Sequence, residues 1–174
     1  MAYYFLAACI SGSGWVTSRY IVLYASTALT LLWAAVEKWG YPIWTYPLLA
    51  REPGLLMGVE PTTYMVLAGF VEFNLTFVML SSASLLSRAI ALGLGSVFLL
   101  AIYKFGLIDA IGHLLIIAIL CVLVIYGPTK ARNFLALESK SLWTEAYFMT
   151  GLYTLAFVIV FIAYYGLQYL VCGN

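Results

Sequence analysis

Charged residues are scarce in this chain. Asp, Glu, Lys and Arg together make up 9% of its 174 residues, against about 25% in soluble domains, and 65% of the residues are hydrophobic. With a mean hydropathy of +1.03, the chain could not cover a water-facing surface, so most of its outer surface must face lipid. The net charge of +1 and the lack of a Lys/Arg block give no reason to expect nucleic-acid binding. The composition therefore predicts an integral membrane protein with the lipid bilayer as its first partner.

Residues that carry redox, metal or nucleophilic chemistry are also few. The chain has one histidine and three cysteines, Cys9, Cys121 and Cys172, which form no CxxC pair. Dithiol redox chemistry within this chain is therefore not expected. Cys121 falls inside an apolar run, where we expect a small buried thiol. The sequence shows no nucleophile with a neighbouring base, no phosphate loop and no haem motif, which favours an accessory subunit over an independent enzyme.

Apolar runs of helical length recur along the chain. The hydrocarbon core of a bilayer needs about 20 helical residues, and five runs reach or approach that length. They are Tyr20–Trp39, Thr62–Ser81, Ala89–Phe105, Gly112–Tyr126 and Phe148–Leu170. The fourth is short, and Gly127 and Pro128 give it a clear stop. Such runs predict helices rather than barrel strands, which would alternate over about 10 residues. The predicted fold is all-α, an integral membrane helical bundle.

The few cations predict the topology. With the N-terminus inside, five cations lie inside and three outside, which favours that orientation and puts the C-terminus outside. The inner five are Arg19, Arg88, Lys130, Arg132 and Lys140, and the outer three are Lys38, Arg51 and Lys104. Residues 1–18 read as an interfacial segment, because no Lys or Arg precedes their apolar run as a signal peptide requires. A membrane core over 19–127 follows, then a cytoplasmic linker and a fifth spanning helix over 128–174.

The link over residues 40–61 is not an ordinary polar loop. It alternates prolines and aromatic residues with short apolar stretches. Connections longer than about 12–15 residues without regular structure tend to be functional. We expect an outer cap that lies on or dips into the interface, or a short interfacial helix that seals the bundle.

Glu72 stands alone in an apolar run from Tyr64 to Leu80. If Pro61 begins this helix, a rise of about 1.5 Å per residue puts Glu72 about 16 Å into the membrane, near its middle. An ionisable side chain at that depth is costly, so it indicates a functional site by default. The structural alternative is a protonated carboxyl group bonded to a neighbouring helix.

Other polar side chains are predicted to lie at the outer end of the bundle, above Glu72. Ser26, Thr30, Trp33 and Glu37 share one face of the first helix, and Asp109 and His113 are four residues apart on the fourth. The outer residues are Glu37, Lys38, Lys104, Asp109 and His113. Groups of this kind usually mark ion, proton or substrate pathways. The alternative is a set of interfacial ion pairs and snorkelling lysines.

A metal site is a rival interpretation of Asp109 and His113. An Asp and a His at i, i+4 can share an ion, and Glu37 or Glu72 could complete the ligand set. The single histidine argues against zinc or copper. Alternatively, His113 donates a hydrogen bond to Asp109 and holds the start of the helix.

Four short segments resemble the DoxX-like membrane proteins. They are Glu37-Lys38-Trp39-Gly40, Gly69-Phe70-Val71-Glu72-Phe73, Ser87-Arg88-Ala89 and Asp109-Ala110-Ile111-Gly112-His113-Leu114-Leu115. The resemblance covers residues 19–127 and implies a four-helix core, to which this chain adds a fifth helix. It also implies an association with membrane redox processes, including quinone-linked oxidation of sulfur compounds, in a family without one settled activity. By that resemblance the site would be Glu37, Glu72, Asp109 and His113.

Three functions remain open from the sequence. The first is a subunit of a redox-linked complex in the cytoplasmic membrane of a bacterium or archaeon, with a quinone or small-molecule pocket around Glu72. The second is a proton-coupled small-solute transporter with Glu72 as the relay. The third is a structural subunit, suggested by the fifth helix and its Tyr164, Tyr165 and Tyr169. Each would bring other membrane subunits or a second copy as partners.

Overall fold

The computed structural model describes residues 16–81, 84–127 and 142–173. The predicted N-terminal segment and the linker after residue 127 therefore lie largely outside the described residues. The helices are α1 (Val16–Gly40), α2 (Tyr46–Arg51), α3 (Pro61–Ser81), α4 (Ser84–Phe105), α5 (Leu107–Tyr126) and α6 (Leu142–Cys172). Every regular element in these ranges is helical, so the predicted all-α class is confirmed.

A helix occurs at each of the five predicted positions. Three helices are long and apolar enough to cross a bilayer, over Pro61–Ser81, Leu85–Phe105 and Ala146–Val171. They are compatible with the predicted integral membrane protein. The apolar part of α5, Ala110–Ile125, is shorter. The four-helix DoxX-like core and its extra fifth spanning helix stay a prediction.

Two glycines with positive φ directly follow the ends of helices. Gly106, with φ 83°, is the one residue between α4 and α5, and its N–H donates to the Ile102 carbonyl at 2.8 Å. Gly127, with φ 68°, closes α5 by donating to the Leu123 carbonyl at 2.8 Å, which confirms the predicted stop. Side chains with a Cβ rarely adopt this conformation, so the tight α4–α5 hairpin depends on glycine at position 106.

The link between α1 and α3 consists of consecutive short helical turns. The 3-10 turns Pro42–Trp44 and Pro53–Leu56 flank α2, and each of the three has a proline in its first two positions, where a missing N–H costs nothing. Leu49 is buried, whereas Ile43 and Met57 are exposed. The link therefore contains a short helix flanked by helical turns, and some of its apolar side chains are exposed.

The chain divides into two compact units, residues 1–28 with 78–146 and residues 29–77 with 147–174. In the first unit the α4–α5 hairpin buries Ala91, Leu94, Leu120 and Leu123. Gly95 on α4 lies against Leu120, whereas Gly93 is exposed, with no atom of the described residues near its missing Cβ.

The expectation of a buried Cys121 is wrong, since its side chain is exposed. Leu120 and Leu123 occupy the packed side of α5. Around the helix, Cys121 is about 100° from Leu120 and about 200° from Leu123, so its thiol points away from the packed side. Mid-span position alone does not determine which side of a helix faces a neighbour.

Glu60 caps the start of α3. Its carbonyl accepts the first helical hydrogen bond, from Tyr64 N–H at 2.9 Å. Its carboxylate accepts from the Thr62 hydroxyl at 2.8 Å and from the Thr63 N–H at 3.1 Å. These hydrogen bonds, that of the Thr62 side chain first, hold the pKa of Glu60 below its ordinary 4.5.

This cap makes part of the stability pH-dependent. A carboxylate with a lowered folded-state pKa stabilises the fold fully above its unfolded value, and the contribution disappears as the pH falls through the lowered pKa. We expect Glu60→Gln to flatten the acid limb of a plot of Tm against pH below about pH 4.5 in detergent micelles, since the variant has no proton to take up there. An acid limb unchanged by the substitution would contradict this role.

Candidate functional site

Glu72 forms an ion pair with Lys38 in the second unit. Lys38 Nζ lies 2.6 Å from Glu72 Oε2, and the side chains are 23% and 28% exposed. Glu72 is the twelfth of the 21 residues of α3, so the pair lies near the middle of that span. Ion pairs were the alternative expected for the outer charged groups, Lys38 among them, but Lys38 was not predicted as the partner of Glu72.

The Lys38 side chain points back along its own helix. Besides Glu72, its ammonium group contacts the carbonyl of Ala34, one turn earlier, at 3.5 Å. A lysine that snorkelled from the last turn of α1 would instead extend beyond Gly40. Lys38 therefore neutralises a charge within the span rather than reaching for the interface.

The helices α1 and α3 approach closely at Gly69. A Cβ on Gly69 would lie 2.6 Å from Trp39 Nε1 and 2.8 Å from the carbonyl oxygen of Ala35. Both contacts are shorter than real Cβ atoms tolerate, and the Ala35 oxygen is backbone. The Trp39 indole uses this space to donate a hydrogen bond to the Val66 carbonyl at 2.9 Å.

Trp39 is also the centre of an aromatic cluster with α6. Its ring contacts Phe73, Phe157 and Phe161, with ring centroids 5.7 to 6.2 Å apart. The buried core around it consists of Leu32, Ala35, Val36, Phe73, Val160 and Tyr164. Aromatic contacts of this kind add about 0.5–1.5 kcal/mol each beyond burial. Trp39 of α1 therefore packs against both α3 and α6.

An open groove of about 500 Å³ lies beside this cluster. We call it the aromatic groove; its lining residues are Trp39, Val66, Phe70, Tyr153, Phe157 and Phe161. Val66 and Phe70 are half-exposed at its edge. Phe70 and Glu72 are two residues apart, so they point about 200° apart around α3, and neither Glu72 nor Lys38 lines the groove.

The remaining predicted site residues divide between the two units. Glu37 is half-buried in the last turn of α1 and is not part of the Lys38–Glu72 pair. Lys104 is exposed in the last turn of α4, and the His113 ring stacks on Phe98 at 4.9 Å. Asp109 is in the first turn of α5, but its side chain lies outside the described part of the chain. The convergence of these groups on Glu72 stays a prediction.

The metal alternative gains no support from the described side chains. Within the ranges that the structure covers, no three His, Cys, Asp or Glu side chains come together as a set of ligands. Because the Asp109 side chain is outside those ranges, the pairing of Asp109 with His113 stays a prediction.

The residues that sequence reasoning missed are aromatic. Tyr153, Phe157 and Phe161 recur every four residues along α6, a spacing that places them on one helical face. That signal was available, but the same spacing is typical of a packed core. Only the positions of Trp39 and Phe70 show that this face lines a groove.

The ion pair should be measurable as a coupling between two side chains. We expect Glu72→Gln and Lys38→Met each to lower the free energy of unfolding in micelles by about 1.5–3 kcal/mol, because each leaves a charged partner unsatisfied. The double variant should cost less than the sum of the two, since it removes both charges. Additive costs would contradict a direct interaction.

The close approach at Gly69 can be tested with a matched glycine. We expect Gly69→Ala to destabilise the protein by about 1–3 kcal/mol, because the new Cβ collides with Trp39 and with the α1 backbone. Gly93→Ala should be neutral or stabilise by up to about 1 kcal/mol, since alanine favours helix and the position is open. Equal effects of the two substitutions on thermal unfolding would rule out the proposed packing.

Comparisons with protein-family models, with curated proteins and with solved structures gave no match to this chain. The DoxX-like resemblance therefore stays a prediction, and the functional argument depends on the geometry of the second unit.

Proposed function

We propose that this protein is a membrane subunit that binds a lipid-soluble ring compound, with a quinone as the first candidate, in the aromatic groove. The observation that carries the proposal is the groove itself, since five of its six lining side chains are aromatic. The redox-linked complex implied by the DoxX-like resemblance is the setting in which such a subunit would work.

The size and lining of the groove favour a flat ring. Small-molecule sites are typically apolar concavities of about 300–1,000 Å³ with few polar groups, and the groove volume of about 500 Å³ falls in that range. The rings of Phe157 and Phe161, which are one helical turn apart along α6, stack with an interplanar angle of 23°. A ring ligand would extend this stack, and offset stacking adds about 0.5–1.5 kcal/mol per ring pair.

The half-exposed edge of the groove suits a ligand with a tail. Val66 and Phe70 are 52% and 56% exposed, so the groove is open along α3. In a bilayer that opening would face hydrocarbon, where an isoprenoid or alkyl tail costs nothing to leave outside. A polar solute without apolar surface would gain little from such a site.

In this proposal Lys38 and Glu72 act as positioning residues. Neither of them lines the groove, so in this proposal Glu72 supports the ligand site indirectly, whereas the sequence predicts a pocket around Glu72 itself. The ion pair holds the end of α1 against α3, and the neighbouring Trp39 thereby keeps its place in the groove wall. Substitution of Glu72 would then weaken ligand binding through the groove wall rather than by loss of a ligand contact.

The groove can be filled without disturbing the core. Val66 and Val71 are both on α3 and are 52% and 51% exposed, but only Val66 lines the groove. We expect Val66→Trp to lower the decylubiquinone retained by the purified protein by about tenfold or more, because the larger side chain occupies the ring site. Val71→Trp, the matched control, should retain the wild-type amount, measured by chromatography of the extracted quinone.

Two outcomes would overturn the proposed function. The first is a wild-type protein that retains no more decylubiquinone than micelles without protein. The second is equal retention by the Val66→Trp and Val71→Trp variants, which would place any bound quinone elsewhere.

A further inference from the structure

One side chain that lines the aromatic groove, that of Tyr153, carries a polar group that forms no hydrogen bond with the described part of the chain. Four of the other lining residues are valine or phenylalanine, and the Trp39 N–H already donates to the Val66 carbonyl at 2.9 Å. No described residue forms a hydrogen bond with the Tyr153 hydroxyl. The groove therefore offers a bound ring one polar side-chain contact at most, and Tyr153 would supply it.

The Tyr153 ring is held in place before any ligand arrives. Phe73 and Phe77 both pack against it edge-on, with centroids 5.4 and 5.0 Å away and interplanar angles of 85°. Phe73 is itself fully buried. A ring fixed from two sides gives its hydroxyl a defined position, so a hydrogen bond to a ligand costs little conformational entropy.

Tyr153 lies within the apolar part of α6. Tyr153 is seven residues into the apolar span Ala146–Val171, about 10 Å along the helix axis. A hydroxyl without a hydrogen bond in hydrocarbon is costly, so an acceptor oxygen on the ligand would be favoured there far more than at an aqueous surface.

We propose that the Tyr153 hydroxyl donates a hydrogen bond to an oxygen atom of the bound ring and selects oxygen-bearing rings over hydrocarbons of the same shape. The inference rests on the proposed function and adds the determinant of specificity. Tyr153 is thus the residue that distinguishes a quinone from an apolar ring, whereas Phe157 and Phe161 accept either. A single hydrogen-bond donor discriminates between the two kinds of ring because the ring without oxygen leaves the donor unpaired.

The test compares two rings that differ mainly in their oxygen atoms. Menadione and methylnaphthalene share a methylated two-ring system, and only menadione carries carbonyl oxygens. In micelles, we expect Tyr153→Phe to weaken menadione binding by about threefold to tenfold, the equivalent of one hydrogen bond, and to leave methylnaphthalene binding unchanged. The control is Tyr147→Phe, also on α6, at a position that is 76% exposed and outside the groove.

The outcomes separate this inference from the proposed function. Equal weakening of both probes by Tyr153→Phe would show a packing role only, and unchanged menadione binding would show no role; either result overturns the inference while ring binding in the groove stands. If the wild-type protein binds neither probe, the proposed function fails and the inference fails with it.

Discussion

The close approach of α1 to α3 at Gly69 is the constraint on which the second unit depends. Only a residue without a Cβ leaves room there for the Trp39 indole and the Ala35 carbonyl. At this distance the Trp39 N–H reaches the Val66 carbonyl, and its ring forms a wall against which α6 packs its aromatic side chains. The absence of one methyl group thus determines the helix spacing, a hydrogen bond and the groove together.

The Lys38–Glu72 pair determines how α1 and α3 are aligned along their axes. Two opposite charges that meet within a span neutralise each other. Each side chain gives the other a hydrogen-bonding partner, which lipid cannot provide. A pair of this kind contributes little net stability compared with apolar packing, but it makes helix alignments that separate the two charges unfavourable. A shift of α1 along α3 by one turn, about 5.4 Å, would separate the charges. The ion pair therefore selects one alignment of the two helices, and Gly69 selects their distance.

Local features of the fold were predictable from the sequence, whereas choices between neighbouring faces were not. Apolar runs and glycines located the helices and the stop at Gly127, and helical rise located Glu72 near mid-span. The partner of Glu72 was harder, because Glu37 and Lys38 are adjacent and differ by about 100° around α1. Which of them faces α3 depends on the crossing at Gly69, a tertiary feature. The outward orientation of Cys121 was not predicted either, because it depends on which side of α5 packs against a neighbouring helix.

The length of α6 links the groove to the thickness of the membrane. Its 31 residues span about 46 Å, and its predominantly apolar stretch of 26 residues, Ala146–Val171, spans about 39 Å, more than a hydrocarbon core of about 30 Å. A spanning helix with such an excess is accommodated by tilt, by a kink or by local thickening of the bilayer, and a tilt changes with the lipid around it. Since Tyr153, Phe157 and Phe161 form one wall of the groove, a thinner or thicker bilayer would change its width. Under the proposed function, lipid composition would then influence the binding of a ligand in the groove.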